Sequence, residues 1–251
     1  MRRLSWASVR AVVLEVLLVV GAYLAYELVR RFIEGSGPEA AERALDVIAL
    51  ERSLGLFWEA SLQRAILDHH WLVRLFNWVY VWGYLPVIIA AALWMLIFHR
   101  GWYSRYRNAF LLSGAMGLVV FALLPVAPPR MFPHLGFVDT VRVYSDVYRR
   151  FDNSGIVNEF AAVPSFHFGW ILLVGVAVWR HGSWWPFRLL GPALPILMLA
   201  AIVLTGNHYF LDAVAGGTIV LAALALVIWL ERVDLGALLL RRKGDAARPA
   251  R

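Results

Sequence analysis

The chain has 251 residues, of which 61% are hydrophobic and 16% are charged, whereas soluble globular domains usually contain about 45–50% and about 25%. This composition, together with 12 Trp, a residue enriched where a span meets lipid headgroups, argues against a water-soluble domain and indicates a protein embedded in a bilayer. The net charge of +7 is scattered between apolar runs, which argues against a nucleic-acid partner, and the absence of cysteine excludes disulfides, a thiolate nucleophile and a Cys-ligated zinc site.

Six apolar runs along the chain are candidates for membrane spans. A hydrocarbon core about 30 Å thick requires about 20 apolar residues in one helix. The first run follows Met1-Arg2-Arg3, but its length and the lack of a small-x-small cleavage site favour a span over a cleaved signal peptide. The sequence therefore predicts an all-α, six-transmembrane-helix bundle, with residues 1–240 as a single membrane-embedded domain. The runs lie at 9–29, 75–98, 108–126, 167–180, 187–206 and 209–231.

The segment between the first two runs has a different pattern. Residues 38–68 intersperse leucine, isoleucine and phenylalanine with acidic residues and arginine. This pattern is typical of a helix that lies along the membrane surface. An interfacial amphipathic helix is therefore predicted between the first two spans.

The charge of the short connections predicts the orientation of the spans. Residues 99–107 carry basic side chains and no acid, which is typical of a cytoplasmic connection. The basic segment 241–251 is predicted to be a disordered cytoplasmic tail that contacts anionic headgroups of the bilayer. Both termini are then cytoplasmic and the loop 127–166 is extracytoplasmic, with Arg30 and Arg31 as exceptions to the rule. We expect an integral protein of the plasma (inner) membrane.

Two polar residues open the last run at a spacing of four. His208 and Asp212 lie on one helix face at this spacing. The carboxylate can fix the tautomer of the imidazole, which leaves the other ring nitrogen free to attack an electrophile. The free N–H groups of the helix start would also favour an anion. The structural alternative is a satisfied polar pair that seals the helix end.

Ser165 and His167 open the fourth run in the same predicted layer. Ser165 can cap this helix by accepting a backbone N–H. A lone His167 would be an ordinary interfacial histidine, but a second histidine at the same membrane face favours acid–base work. The fourth and fifth runs form a hairpin, so His167 and His208 are expected to meet at the extracytoplasmic face.

Arg130 follows two prolines where the third run ends on that side. A guanidinium matches the paired oxygens of a phosphate. A solvated surface charge is the alternative for any arginine of this loop. Arg130, which is nearest to the end of the span, and Ser165 are the candidates for binding a substrate phosphate.

Three segments together resemble the type-2 phosphatidic acid phosphatase superfamily, and most closely its inositol phosphorylceramide synthase-like branch. With the six-span order, the resemblance covers nearly the whole chain. The segments are PPR at 128–130, PSFHFGW at 164–170 and GNHYFLDAVAGG at 206–217.

The resemblance implies catalytic roles for three residues. His208 would form a phosphohistidine intermediate, Asp212 would orient it, and His167 would protonate the leaving oxygen. The chain departs from the superfamily pattern in having Phe166 where glycine is usual and Ile202 where arginine is usual, and it lacks the first motif. The set of phosphate-binding residues is therefore incomplete.

Taken together, the residues and the resemblance predict an enzyme that needs no metal and no cofactor. Its substrate would be a phospholipid, isoprenoid or sphingolipid-type phosphate ester. Water as the acceptor would make it a phosphatase, and an alcohol would make it a phosphotransferase such as an inositolphosphotransferase. The sequence does not decide between these acceptors or predict an oligomeric state.

Three other readings use the same residues. An intramembrane serine protease would pair Ser165 with His208, although Ser165 follows a proline at the mouth of the span instead of lying within the membrane. A transporter or channel could use the histidines as a proton relay. A zinc ion could be bound by His167, His208 and Asp212, whose side chains are all zinc-ligand types.

Overall fold

The computed structural model describes residues 6–32, 37–144 and 160–233. These ranges contain ten α-helices and no named strand, so the predicted all-α class is confirmed. The predicted tail 241–251 lies outside the described residues. The helices are α1 (Trp6–Phe32), α2 (Gly37–Ser53), α3 (Glu59–Leu67), α4 (His70–Trp82), α5 (Leu85–Phe98), α6 (Arg100–Leu123), α7 (Thr140–Tyr144), α8 (Phe166–His181), α9 (Trp185–Leu204) and α10 (Phe210–Arg232).

Three helices of the described ranges, α6, α9 and α10, are long and apolar enough to cross a membrane. The pair α4 and α5 would add a fourth span if it is counted as one bent element. These helices are consistent with an integral membrane protein. The predicted bundle of six spans stays a prediction, and α8, with 16 residues, is shorter than the about 20 that a span requires.

The predicted second span, 75–98, is wrong as a single helix. It consists of the end of α4 and all of α5, which meet at an angle of 48°. Pro86 stands in the first turn of α5, where its missing N–H is tolerated. The same proline could not continue α4, because it has no hydrogen to donate to the preceding turn.

Two other sequence boundaries also differ from the structure. The segment 99–107 was expected to be a connection, but α6 begins at Arg100, so its basic residues belong to a helix. The predicted amphipathic helix over 38–68 is two helices, α2 and α3. The chain turns between them at Gly55, whose φ of +69° is in the left-handed region that favours glycine. The interfacial position of these helices stays a prediction.

Glycines allow α8 to lie very close to α9 and α10. A Cβ atom on Gly169 of α8 would lie 2.7 Å from the carbonyl oxygen of Gly216 in α10. Gly175 of α8 and Gly191 of α9 make a similar approach. Small residues at such crossings let backbones come together in membrane bundles. This packing brings the beginning of α8 beside the beginning of α10.

Two irregular segments cross the same end of the bundle. The N–H of Val126 donates to the carbonyl of Phe160 at 2.8 Å, and the N–H of Ala162 donates to the carbonyl of Val126 at 3.2 Å. The N–H of Ala127 donates to Ala40 of α2 at 3.0 Å. These bonds fix the chain around Ala162, whose carbonyl points into the site described next.

Candidate active site

His208 and Asp212 form a buried hydrogen-bonded pair at the beginning of α10. The Nδ1 atom of His208 lies 3.2 Å from Oδ2 of Asp212 and 2.9 Å from the carbonyl oxygen of Ala162. Both neighbours are acceptors, so Nδ1 carries the hydrogen and Nε2 keeps its lone pair. Asp212 Oδ2 also accepts the backbone N–H of Tyr209 at 2.9 Å, which fixes the carboxylate on the helix end.

Burial keeps His208 neutral. It lowers the pKa of His208 from 6.5 to about 3. The hydrogen bond to Ala162 acts in the opposite direction, and the positive charges of Arg130 and Arg30 lower the pKa further. An imidazole of this kind is deprotonated at neutral pH, so its Nε2 is available as a nucleophile without prior loss of a proton.

His167 lies beside His208. The centroids of the two imidazole rings are 5.9 Å apart. The ring of His167 stacks on Tyr80 at 4.4 Å and contacts Tyr84 at 4.2 Å, which hold its orientation. The structure therefore brings together the two histidines that are remote in sequence.

Ser165 joins the two halves of the site. Its backbone N–H donates to the carbonyl oxygen of Asp212 at 2.9 Å. Its Oγ accepts the N–H of Phe168 at 3.5 Å, so the predicted cap of α8 is confirmed. The side chain is fully buried in this arrangement. The expected contact of Ser165 with a substrate phosphate stays a prediction.

Arg130 stands next to the same site but is held by neighbouring residues. Its Nη1 donates to Oδ1 of Asn207 at 2.8 Å, and its Nε lies 3.4 Å from Oδ2 of Asp139. Its backbone N–H donates to Gly206 at 2.7 Å, which ties the 3-10 turn at 129–131 to the turn before His208. Arg130 therefore fixes the turn that carries the nucleophile candidate. Its predicted role in binding phosphate remains to be tested.

Two buried acids at the site were missed by sequence reasoning. Glu51 of α2 accepts the N–H of Leu211 at 2.8 Å, and Glu59 of α3 accepts the N–H of Phe210 at 3.2 Å. Both side chains are fully buried. The expectation that the first N–H groups of α10 attract a substrate anion is therefore wrong, because protein carboxyl groups already occupy them. The sequence pattern shows that these acids lie on amphipathic helices, but it does not show that they are buried. Their contacts with α10 could therefore not be predicted.

The two glutamates share a low-dielectric environment. Burial, and after it the neighbouring carboxyl group of Glu59, raise the pKa of Glu51 to about 9. The hydrogen bond from Leu211 acts against this shift. Glu51 is therefore protonated at neutral pH and can donate a hydrogen bond to the carboxyl group of Glu59.

Sequence reasoning also missed Tyr80 and Tyr84, for which the signal is weak. They lie four positions apart near the start of the second apolar run, 75–98, and tyrosine is common at a membrane interface. In the structure they lie on either side of the break between α4 and α5. The break directs both rings towards His167, and a continuous helix was expected there.

Phe166, which replaces the usual glycine, points away from the histidines. Its ring fills the space above Gly117 of α6, where any Cβ atom would overlap it. It also packs edge-to-face against Tyr26 and Phe121 and stacks on Trp170 at 4.7 Å. This departure therefore adds to the core and leaves the space between the imidazoles unobstructed.

The alternative readings gain nothing from this geometry. Ser165 Oγ caps a helix, and no hydrogen bond joins it to His208 within the described residues. Among those residues, no three or more histidine, cysteine or acidic side chains are arranged to hold a metal ion. The zinc reading therefore has no suitable ligand set in the part of the chain that the structure describes.

An apolar cleft of about 210 Å³ lies beside α8 at Trp170, three positions after His167. It is bordered by α1, α5, α6 and α8, and a second cleft, of about 290 Å³, lies on another side of α1. Tyr23 and Trp170 line both clefts. Trp170 stacks on Tyr84 at 6.0 Å, and Tyr84 contacts His167, so two aromatic rings stand between the clefts and the histidines.

Comparison with known proteins gives one match. The family model described as the PAP2 superfamily matches residues 45–226, which run from within α2 through most of α10. This segment includes the site residues Arg130, Ser165, His167, His208 and Asp212. No curated protein and no solved structure matches the chain.

Proposed function

Because the chain belongs to the PAP2 superfamily, we propose that it is a membrane-embedded enzyme that cleaves or transfers a phosphate ester on a lipid. The observation that carries the proposal is the pairing of a neutral, oriented His208 with a second imidazole at 5.9 Å. Membership of the PAP2 superfamily suggests phosphatase or phosphotransferase chemistry, and the buried pair of His208 and Asp212 suits this chemistry.

The first step would be attack by His208 on phosphorus. The lone pair of Nε2 forms the N–P bond while the bond from phosphorus to the leaving oxygen breaks. The negative charge of the bound phosphate would favour the protonated form of the buried His167, which gives its proton to that oxygen. The lipid alcohol, or the lipid monophosphate of a diphosphate substrate, departs. Asp212 keeps the proton of His208 on Nδ1 and balances the positive charge that develops on the ring.

The second step would return the enzyme to its starting state. His167, now neutral, takes a proton from water or an alcohol as the oxygen attacks phosphorus. The N–P bond breaks and its electron pair returns to Nε2 of His208. From a monoester substrate, water gives free phosphate and an alcohol gives a new phosphomonoester. From a diester substrate, water gives a phosphomonoester and an alcohol such as a polyol gives a new phosphodiester. Arg130 would stabilise charge on the phosphoryl oxygens.

The substrate class follows from the clefts beside α1. Their linings are almost entirely apolar, which suits a hydrocarbon chain whose phosphate lies near His208. We further propose that the site faces the extracytoplasmic side of the plasma (inner) membrane and that both termini are cytoplasmic. The assignment to the inositol phosphorylceramide synthase-like branch, and the contact of the basic tail with anionic headgroups, belong to the same proposal.

The proposal is tested by trapping the intermediate. The purified protein is mixed with lipid phosphates and phosphodiesters labelled at phosphorus, then quenched in alkali, where phosphohistidine is stable and acyl phosphates are not. We expect label on the native protein and none on His208→Ala. A parallel reaction with myo-inositol as acceptor separates transfer from hydrolysis. If no substrate of the panel releases phosphate, transfers a headgroup or labels the protein, the proposed function is wrong.

A further inference from the structure

The first helix lies outside the segment that matches the family, yet it packs against the site. The match begins at residue 45, whereas α1 ends at Phe32. Tyr26 of α1 contacts the ring of Phe166 at 6.3 Å and that of Trp170 at 5.5 Å, in the first two turns of α8. Val19 of α1 lines the same cleft as Ala177, near the other end of α8, so the two helices run antiparallel.

The antiparallel packing of α1 against α8 places Arg30 at the same height in the bundle as the histidines. Arg30 is one helical turn beyond Tyr26 on the same face, which is about 6 Å further along the axis. Because Tyr26 lies level with Phe166 and Trp170, that rise puts Arg30 level with the beginning of α8. Its positive charge is close enough to act on His208. The side chain is 26% exposed, so its charge is only partly screened by solvent.

Glu27 holds the guanidinium in place. Its carboxylate lies 3.4 Å from Nη1 of Arg30, and the two residues are three positions apart on the helix. An arginine at membrane depth is costly and is a functional candidate by default. Glu27 contacts Nη1 of Arg30, and a guanidinium, which has five N–H donors, can serve a second anion at the same time.

Within the described residues, the site offers little other positive charge to a phosphate. Glu51 and Glu59 occupy the first N–H groups of α10. Arg130 is engaged with Asn207 and Asp139. Ile202, six positions before the nucleophile candidate, is a fully buried hydrophobic residue. Among the described residues, Arg30 is therefore the next cation that could balance the charge a phosphoryl group gains during attack by His208.

We propose that Arg30 is a substrate-binding residue whose guanidinium holds the phosphoryl group attacked by His208. The inference rests on the proposed function. It adds that α1, which lies outside the family match, contributes a residue to the site. The ligand is the phosphate group of a lipid. It is either a monoester, which is a monoanion or dianion, or a diester, which is a monoanion. The chain then depends on its first helix for catalysis.

The test uses the full-length protein in lipid nanodiscs, with Arg30→Lys, Arg30→Gln and Arg30→Ala. Loss of a donor aimed at the developing charge should lower kcat/KM by about 10²-fold or more in Arg30→Gln. Inhibition by orthovanadate, which mimics the phosphoryl group, should weaken in the same variant. Arg30→Lys should be intermediate, because lysine keeps the charge without the bidentate fork. Added guanidinium ion should partly restore Arg30→Ala.

Glu15→Gln is the matched control. Glu15 of α1 pairs with Arg107 of α6, fifteen positions before Arg30, and is not among the residues that line the two clefts, so this variant weakens the docking of α1 without changing a residue of the site. It should keep vanadate inhibition at the native level. Guanidinium rescue confined to Arg30→Ala separates a bound guanidinium from a packing role.

The outcomes are distinct. Native kcat/KM and vanadate inhibition in Arg30→Gln would overturn the role of Arg30 while leaving the proposed function intact. Equal losses in Arg30→Gln and Glu15→Gln, without rescue of Arg30→Ala by guanidinium, would also overturn it, because α1 would then act through packing alone. If the native protein is inactive on every lipid phosphate and phosphodiester, the proposed function fails and this inference fails with it.

Discussion

The backbone N–H of Ser165 donates a hydrogen bond to the carbonyl oxygen of Asp212 at 2.9 Å. This single bond connects the beginning of α8, which carries His167, to the beginning of α10, which follows His208. The distance between the two imidazoles is therefore set by backbone contact as well as by side-chain packing. Changes that separate α8 from α10 should affect the chemistry before they unfold the protein.

Gly216→Ala should separate the two helices. A Cβ atom on Gly216 would overlap the carbonyl carbon and oxygen of Ser165, and these backbone atoms cannot rotate away. We expect a loss of stability of about 1–3 kcal/mol and a larger proportional loss of activity. Thermal unfolding in detergent and kcat/KM measure the two effects. Gly21→Ala is the control, because a Cβ there meets nothing within 4 Å.

The rate loss in His167→Ala should depend on the leaving group if His167 is the general acid. With a lipid alcohol as the leaving group, loss of the proton donor should lower the rate of phosphoenzyme formation by about 10²- to 10⁴-fold. With a nitrophenol leaving group, which departs without protonation, the loss should be far smaller. Rapid-quench labelling with the two substrates gives the comparison. Equal losses with both would contradict the role assigned to His167.

The attack by His208 should be insensitive to pH near neutrality. The pKa of about 3 means that Nε2 is unprotonated at every pH above about 4. In the His167→Ala background, phosphoenzyme formation from a nitrophenyl phosphodiester should be constant between pH 5 and 8. A histidine of ordinary pKa, about 6.5, would lose about thirtyfold at pH 5. An acid limb with that midpoint would show that His208 is not desolvated as described.

Glu51→Gln should remove a dependence of stability on pH. The unfolded chain loses the Glu51 proton near pH 4.5, whereas the folded protein keeps it up to about pH 9. Between these values the folded state binds more protons, so native stability decreases as pH rises. Gln is neutral and can keep both hydrogen bonds. The variant should therefore melt at a higher temperature than the native protein at pH 8 and show a flatter profile from pH 5 to 9.

Glu42→Gln is the control for that experiment. Glu42 lies on the same helix α2 with an exposed side chain, so its replacement should leave the profile of melting temperature against pH unchanged. If Glu51→Gln instead lowers the melting temperature at pH 8 and keeps the native slope, Glu51 is charged in the folded protein and the description of the glutamate pair is wrong.

The parts of the site that depend on local spacing could be predicted from the sequence. The step from His208 to Asp212 is one helical turn, and the cap at Ser165 needs only its own helix. The meeting of His167 with His208 followed from the order of the apolar runs. The all-α class followed from composition and periodicity.

The parts that depend on distant contacts could not be predicted. Glu51 and Glu59 read as the solvated face of an amphipathic helix, because a sequence pattern cannot distinguish an acid that faces water from one that caps a remote helix. The break after Trp82 was hidden within a continuous apolar run. Arg30 was visible as an exception to the positive-inside rule, but its neighbours at the site were set by the packing of α1 on α8.

The space that Gly117 leaves for Phe166 has an evolutionary consequence. The two positions share one fixed volume between α6 and α8, so neither can change size alone. A related chain with glycine at the position of Phe166 should carry a larger side chain at the position of Gly117. Aligned relatives should therefore show a reciprocal exchange of large and small residues at this pair, and a double variant that exchanges them should be more stable than Gly117→Phe alone.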